Sequence, residues 1–300
     1  MREASDPPAV DREVTAAVGQ PTDDRTVDPR HHVSNYFRLE RWEIPPPPGT
    51  TTPPAFGGRT PVDPHLRSPA GGMRAGGLLA TADSLGGFFS GIAVLPRWIV
   101  TTSMVAAVFR PAQRGPLVLH GRVLRRGRAS VVTALDVADE GDRGAAVARM
   151  VMTSAVLDPG GMDVPAGRPF SLPMGPPDPS APGPEEFFCI TPGRGAVTGL
   201  ELADRLRNPW GILHGGAVAM LADVAACRAV EAHRRSDPGT SLVATDTVLH
   251  YLRPARVGPV EARCQVLGGP SARQLVRVAV HDVGADDRMV TVGSVTIVEA

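Results

Sequence analysis

A 17-residue segment occurs twice in this chain, 140 positions apart and without a gap. The second copy runs Arg207-Asn208-Pro209-Trp210-Gly211-Ile212-Leu213-His214-Gly215-Gly216 and continues through an apolar run to Asp223. The first runs Arg67-Ser68-Pro69-Ala70-Gly71-Gly72-Met73-Arg74-Ala75-Gly76 and continues to Asp83. The Arg, the Pro, two Gly positions and the final Asp are identical, whereas Ser68 and Arg74 stand where the second copy has Asn208 and His214. Further on, Phe109-Arg110-Pro111-Ala112 matches Leu252-Arg253-Pro254-Ala255 at an offset of 143, so three residues are inserted between the two matches. A duplication of this kind implies one fold built twice. The polar differences between the copies then mark where chemistry has been kept or lost.

Each apolar run reads as a helix, over about 75–92 and 215–234. Ala217 to Cys227 is apolar on every face except at Asp223. A helix that is apolar all round is buried all round, and this one is too short to span a membrane. A sheet must therefore wrap it. Strands are expected at Asn35 to Ile44, 100–109, 117–126, 129–138 and 145–157, and again at 186–202, 243–252, 259–267, 273–282 and 288–298. Between Pro45 and Pro69 a Gly/Pro/Thr-rich loop is expected. The last three strands of each copy are joined by short turns, which suits antiparallel pairing, because parallel pairing needs longer crossovers.

The fold class that follows is α+β: tandem units, each a strand, a long helix and four further strands, with the antiparallel sheet wrapped around the helix. Residues 1–32 are polar and read as a disordered tail. The first unit covers 33–158, a Pro/Gly-rich linker 159–184, and the second unit 185–300.

The 300 residues suffice for two units of roughly 120 residues with a core in each. Formal net charge is zero, so neither nucleic acid nor an acidic membrane surface is an expected partner. All 31 basic side chains are Arg, which fits a GC-rich coding sequence. Cys189, Cys227 and Cys264 are an odd number without metal-type spacing and read as free thiols in a reducing compartment. His31-His32 lacks a credible third ligand, so no metal is expected. The first 20 residues lack the apolar core of a signal peptide. A cytoplasmic protein is the expectation.

An ionised carboxylate inside an apolar helix costs several kcal/mol unless it is paired or reaches water. Asp83 and Asp223 are both in that position. Each is either a site residue or a structural Asp bound to a neighbouring backbone or Arg. Gly215-Gly216 opens the second helix, where free N–H groups point ahead and suit a developing oxyanion.

The set Asn208-Pro209-x-Gly211-x-x-His214-Gly215-Gly216 with Asp223 resembles the hotdog-fold acyl-CoA thioesterases of the phenylacetyl-CoA thioesterase-like (PaaI-type) family. The resemblance covers about 185–300 well and about 33–158 more weakly. It implies a fused double hotdog in which one polypeptide supplies both halves of each active site. It also implies that the Asn side chain and the first Gly N–H polarise the thioester carbonyl, while the Asp of the opposing half serves as base or nucleophile. A Ser or Thr eighteen residues beyond that Asp helps place the water. Carried over, Asp83 and Thr101 would face Asn208, His214 and Gly215. The reciprocal site would set Asp223 against Ser68, Arg74 and Ala75, with Ala244 at the hydroxyl position if the three-residue insertion precedes it, and reads as degenerate. His214 is expected to shape the loop, Trp210 and Gly216 to contact substrate, and Arg253 or Arg256 to hold CoA phosphates. The run Arg122, Arg125, Arg126 and Arg128 offers another set of cations.

Coenzyme A is then part of the substrate and no separate cofactor is expected. Two alternatives stand beside this reading. One is a non-catalytic acyl-CoA-binding or regulatory protein. The other is a hotdog hydratase, which the spacing of Asp204, Asn208-Pro209 and His214 disfavours. Surface patterning leaves open whether two such chains pair as a homodimer.

Overall fold

The computed structural model describes residues 33–44, 55–160, 173–193, 195–234, 241–268 and 272–300. The expected tail with His31-His32, and 161–172 of the expected linker, lie outside the described residues.

Two long helices, α2 (Ala75–Ile92) and α4 (Gly215–Arg234), begin where the repeated loops end. Each is buried along almost its whole length, as a helix without a polar face must be. A 12-stranded sheet covers them in the order β1-β2-β4-β5-β6-β3-β9-β12-β11-β10-β8-β7. Its strands in chain order are Glu40–Ile44 (β1), Ala55–Thr60 (β2), Trp98–Val108 (β3), Leu117–Arg126 (β4), Ser130–Asp139 (β5) and Ala145–Leu157 (β6). There follow Ile190–Pro192 (β7), Val197–Leu200 (β8), Leu242–Tyr251 (β9), Val260–Gly268 (β10), Arg273–Asp282 (β11) and Arg288–Glu299 (β12). All pairings are antiparallel. β2 to β6 pack on α2, and β8 to β12 pack on α4.

The sheet order reads the same from both ends, and its centre is the β3–β9 pair. There Val105 lies opposite Val248, its own counterpart at the offset of 143. The pairings with the next strands keep the same offset, Thr101 opposite Ser154 as Ala244 is opposite Ile297, and Val108 opposite Ala148 as Tyr251 is opposite Thr291. Thr101 thus corresponds to Ala244, and Val108 to Tyr251. β3 and β9 also carry irregularities at matching places, β3 between Thr101 and Ser103, and β9 where Ala244 and Thr247 pair with Ile297 and Val295.

The two helices touch at their N-terminal ends. A Cβ at Gly216 would lie 2.5 Å from the Cα of Ala80, and one at Gly76 would lie 2.7 Å from the Cα of Met220. Only glycine permits that approach, because the obstacle is backbone rather than a side chain able to move.

Three expectations are corrected. The strand expected from Asn35 begins at Glu40, after a helical turn α1 (Val33–Tyr36). The expected loop before Pro69 contains β2, whose Gly57 leaves room for the Trp42 ring. The single strand expected over 186–202 is broken into α3 (Pro184–Phe187), β7 and β8. The chain turns back after Pro192, with the Gly193 N–H donating to the Val197 carbonyl. Each unit therefore opens with two short strands rather than one.

The described part of the expected linker is anchored to the first half. Pro182 and Gly175 accept hydrogen bonds from Tyr36 Oη (3.0 Å) and Arg38 Nε (2.8 Å), and Phe187 stacks on Tyr36 with ring centroids 3.8 Å apart. The three cysteines are free, with Cys227 buried and the other two half-buried.

Candidate active site

Asp83 lies in the middle of α2, yet its partners come from elsewhere. Its Oδ1 accepts a hydrogen bond from Thr101 Oγ1 on β3 at 2.8 Å. Its Oδ2 accepts one from the Gly216 N–H at the start of α4, also at 2.8 Å. His214 Nδ1 lies 3.1 Å from the same oxygen. The carboxylate is thereby bound at the positive end of the other helix, which offsets much of the cost of its burial.

His214 is buried, and burial pulls its pKa below the ordinary value more strongly than Asp83 raises it. The ring is therefore neutral. The Gly216 N–H is shared between Asp83 Oδ2 and His214 Nδ1, which it reaches at 3.0 Å. With Nδ1 an acceptor, the ring proton is on Nε2, which faces Ser84 Oγ at 3.5 Å.

Asn208 sits in the loop before α4. Its Oδ1 accepts from the N–H groups of Trp210 (3.0 Å) and Ile212 (3.4 Å). Two backbone donors on one end identify that end as the oxygen, so the amide NH2 is the other end and is available to donate. Trp210 is pinned to the opposite half by its indole N–H, which donates to the Ile99 carbonyl at 2.8 Å. Gly215 presents its backbone at the first turn of α4, where N–H groups lack intrahelical acceptors. Its carbonyl accepts from Tyr251 Oη at 2.9 Å. Burial, and then Asp83, keep the Tyr251 hydroxyl well above its ordinary pKa, so it is a neutral donor.

A cavity of about 680 Å³ joins these groups, lined by Asp83, Thr101, Asn208, Trp210, His214, Gly215, Tyr251 and Arg253 among others. Gly216 is not in its lining and acts from behind, through Asp83. Arg256 is not in the lining either, nor are Arg122, Arg125, Arg126 and Arg128. The sequence reading did not single out Ser84, Arg41 or the role of Tyr251. For Tyr251 a signal existed, since its counterpart in the other copy is Val108.

The reciprocal arrangement is built on the same backbone. Asp223 Oδ2 accepts from the Gly76 N–H at 2.9 Å, and a cavity of about 340 Å³ is lined by Ser68, Arg74, Ala75, Asp223 and Ala244 among others. Arg74, in the place of His214, lies near Cys227 Sγ (3.9 Å) and pairs with Glu185 at 3.5 Å. Burial opposes its charge, but Asp223, Cys227 and Glu185 outweigh that and its pKa is raised. Each Asp caps the other helix, and Asp83 in addition accepts from the Thr101 hydroxyl and shares its cavity with Asn208.

Among the described residues, no group of three His, Cys, Asp or Glu side chains has a metal-site arrangement. No helix among them is long and apolar enough to cross a membrane.

Residues 211–286 match the thioesterase superfamily family model. No curated protein sequence matches the chain. Among solved structures, the chain is similar to the tesB protein of Mycobacterium avium subsp. paratuberculosis, with TM-score 0.55 and 13% identity, over 82% of this chain and 93% of that one. It is similar to acyl-CoA thioesterase II TesB2 of Mycobacterium marinum, with TM-score 0.51 and 15% identity, over 81% and 93%. It is also similar to the 12:0-ACP thioesterase of Umbellularia californica, with TM-score 0.51 and 13% identity, over 82% and 94%. At these identities the likeness concerns the fold, which is the α+β hotdog fold.

Proposed function

We propose that this chain is a fused double hotdog, related to the PaaI-type thioesterases, that hydrolyses acyl-CoA thioesters at one composite site. The observation that carries the proposal is a carboxylate, Asp83, held by Thr101 and Gly216 and sharing one cavity with the donor end of Asn208 and the first turn of α4. The thioesterase superfamily match over 211–286 supports the reaction class.

In this mechanism the thioester carbonyl oxygen accepts from the Asn208 amide and the Gly215 N–H, which stabilise the negative charge that develops on it. Asp83 takes a proton from water as the water oxygen bonds to the carbonyl carbon. In the direct route the tetrahedral intermediate then collapses: the C–S bond breaks, and the proton returns to the departing sulfur. In the covalent variant the Asp83 carboxylate attacks that carbon directly, and the C–S bond breaks to leave a mixed anhydride and the thiolate. Water then hydrolyses the anhydride, restoring Asp83 and supplying the proton the thiolate takes up. The products are the free acid and coenzyme A.

Neutral His214 shapes the loop, sharing the Gly216 N–H with Asp83, rather than acting as the base. Trp210 walls the cavity. Arg253, exposed in the cavity wall, suits a phosphate of coenzyme A. At the reciprocal site Ser68, Arg74, Ala75 and Ala244 replace all the groups the reaction needs except Asp223, and that site is inactive.

The test is release of free thiol from a panel of acyl-CoA thioesters. Turnover of at least one is expected. Tight binding of acyl-CoA without any thiol release would instead identify a binding protein.

A further inference from the structure

Arg41 lies in the wall of the first cavity without a carboxylate partner among the described residues. Its guanidinium sits over the Phe88 ring, 4.0 Å from the centroid. Its Nε is buried and has no hydrogen-bond partner. Burial is the sole influence on its pKa, which is lowered, so no nearby anion supports the charge. Two other partly buried guanidinium groups, Arg38 and Arg228, are each paired with a carboxylate, Asp63 at 2.7 Å and Glu185 at 2.6 Å. Stacking on an aromatic ring offsets part of the cost of an unpaired buried cation, but an unmet donor remains expensive. An anion in the cavity would remove that cost.

The place of Arg41 narrows the choice of anion. Asp83, Ser84, Gly87 and Phe88 form the α2 face of the cavity. From Asp83 to Phe88 is five residues, about 7.5 Å along a helix axis. Arg41 is therefore displaced from the reacting carbonyl by the length of a short aliphatic chain. On a different wall, Arg253 and Arg288 are exposed and lie close together, since Arg253 Nη1 donates to the Met289 carbonyl at 3.4 Å. Exposed cations suit the phosphates of coenzyme A, and a half-buried one suits a charge carried inside.

Arg41 also belongs to the complete site alone. It pairs with Gly58 on β2, as Pro192 pairs with Thr198 on β8. Gly58 and Thr198 are counterparts at the offset of 140. The second half thus has Pro192 where the first has Arg41.

We propose that Arg41 is a specificity-determining residue that receives a carboxylate at the far end of the acyl group, so that the preferred substrates are CoA thioesters of short dicarboxylic acids. The proposal rests on the thioesterase reading above. Once bound, the carboxylate would accept charge-assisted hydrogen bonds from the guanidinium, and an acyl group ending in a methyl would leave Arg41 unpaired.

The experiment compares kcat/KM for adipoyl-CoA and hexanoyl-CoA in the natural chain, in Arg41→Met and in Arg41→Lys. The natural chain should favour adipoyl-CoA by on the order of tenfold to a hundredfold, the scale of one charge-assisted interaction. In Arg41→Met the ratio should collapse toward one, and Arg41→Lys should recover part of it. A natural chain indifferent to the terminal carboxylate overturns the proposal. So does an Arg41→Met chain that loses both activities equally and keeps the ratio, which would assign Arg41 to a CoA phosphate or to folding. Calorimetric binding of the non-hydrolysable thioether analogues of both ligands separates this proposal from the thioesterase reading. If neither thioester is turned over, Arg41-dependent discrimination in binding still upholds the role of Arg41, and equal binding still refutes it.

Discussion

Asp83 carries two duties that the sequence presents as alternatives. It caps the N-terminus of α4 through Gly216, and it stands in the cavity with Thr101. Asp223 caps α2 in the same way, but its cavity has Ala244 where the other has Thr101. Removing the Thr101 hydroxyl should therefore damage turnover more than folding. Thr101→Val is expected to lower kcat by about tenfold to a hundredfold, with stability changed by about 1 kcal/mol, the worth of one hydrogen bond. Steady-state kinetics and urea unfolding check both numbers.

His214 predicts a pH dependence of stability. Its ordinary pKa is about 6.5, and in the folded protein burial lowers it despite Asp83. As pH falls, the unfolded chain takes up this proton first. The contribution to stability is complete above about pH 6.5 and declines below it, down to the folded pKa. Thermal midpoints measured between about pH 8 and pH 5 should fall on the acid side. The fall should be shallower in His214→Gln, and parallel curves would refute this assignment. The loss of Asn, His and Gly from one site is visible in the sequence as three positions, Ser68, Arg74 and Ala75. The part played by Tyr251 is less visible, because a strand residue next to His250 looks like ordinary core. Arg41 is invisible, since its meaning lies in the carboxylate that is not beside it.

At the scale of elements, the two long helices are legible to the residue. Their limits are set by the loop glycines and by continuous apolar sequence, and both signals are local. The β2 strand is not legible, because Ala55-Phe56-Gly57-Gly58-Arg59-Thr60 lacks alternation and carries two glycines. The reason for those glycines is tertiary: Trp42 and Leu85 fill the space a side chain would need.

The helix contact itself makes a sharp prediction. Gly216→Ala improves helix propensity by up to about 1 kcal/mol, yet its Cβ would meet the α2 backbone at 2.5 Å. The clash should win. A net loss of about 1–3 kcal/mol is expected, together with reduced activity, because the same residue donates to Asp83. Unfolding in urea measures the first effect and thiol release the second. An unchanged or stabilised Gly216→Ala chain would mean that the helices do not approach this closely.

For the whole molecule, the central fact is a twofold arrangement of unequal halves. The β3–β9 register places Val105 against Val248 and brings each helix N-terminus to the Asp of the other helix. Two composite cavities follow from that symmetry, and the sequence differences fall unevenly between them. The larger holds Asn208, His214, Tyr251 and Thr101, and the smaller holds Ser68, Arg74 and Ala244. The repeat was legible from sequence, but the exact counterpart of Thr101 was not, because the three-residue insertion could fall at several places. The irregularities of β3 and β9 and their pairings with β6 and β12 locate it at Ala244.

The direct test is thiol release by Asp83→Asn and Asp223→Asn. Asparagine keeps an oxygen able to accept the helix N–H, so both variants should fold. Asp83→Asn should lose about 10²–10⁴-fold in kcat, while Asp223→Asn should keep most of the activity. Equal losses in the two variants, or a larger loss in Asp223→Asn, would contradict a single active site at Asp83.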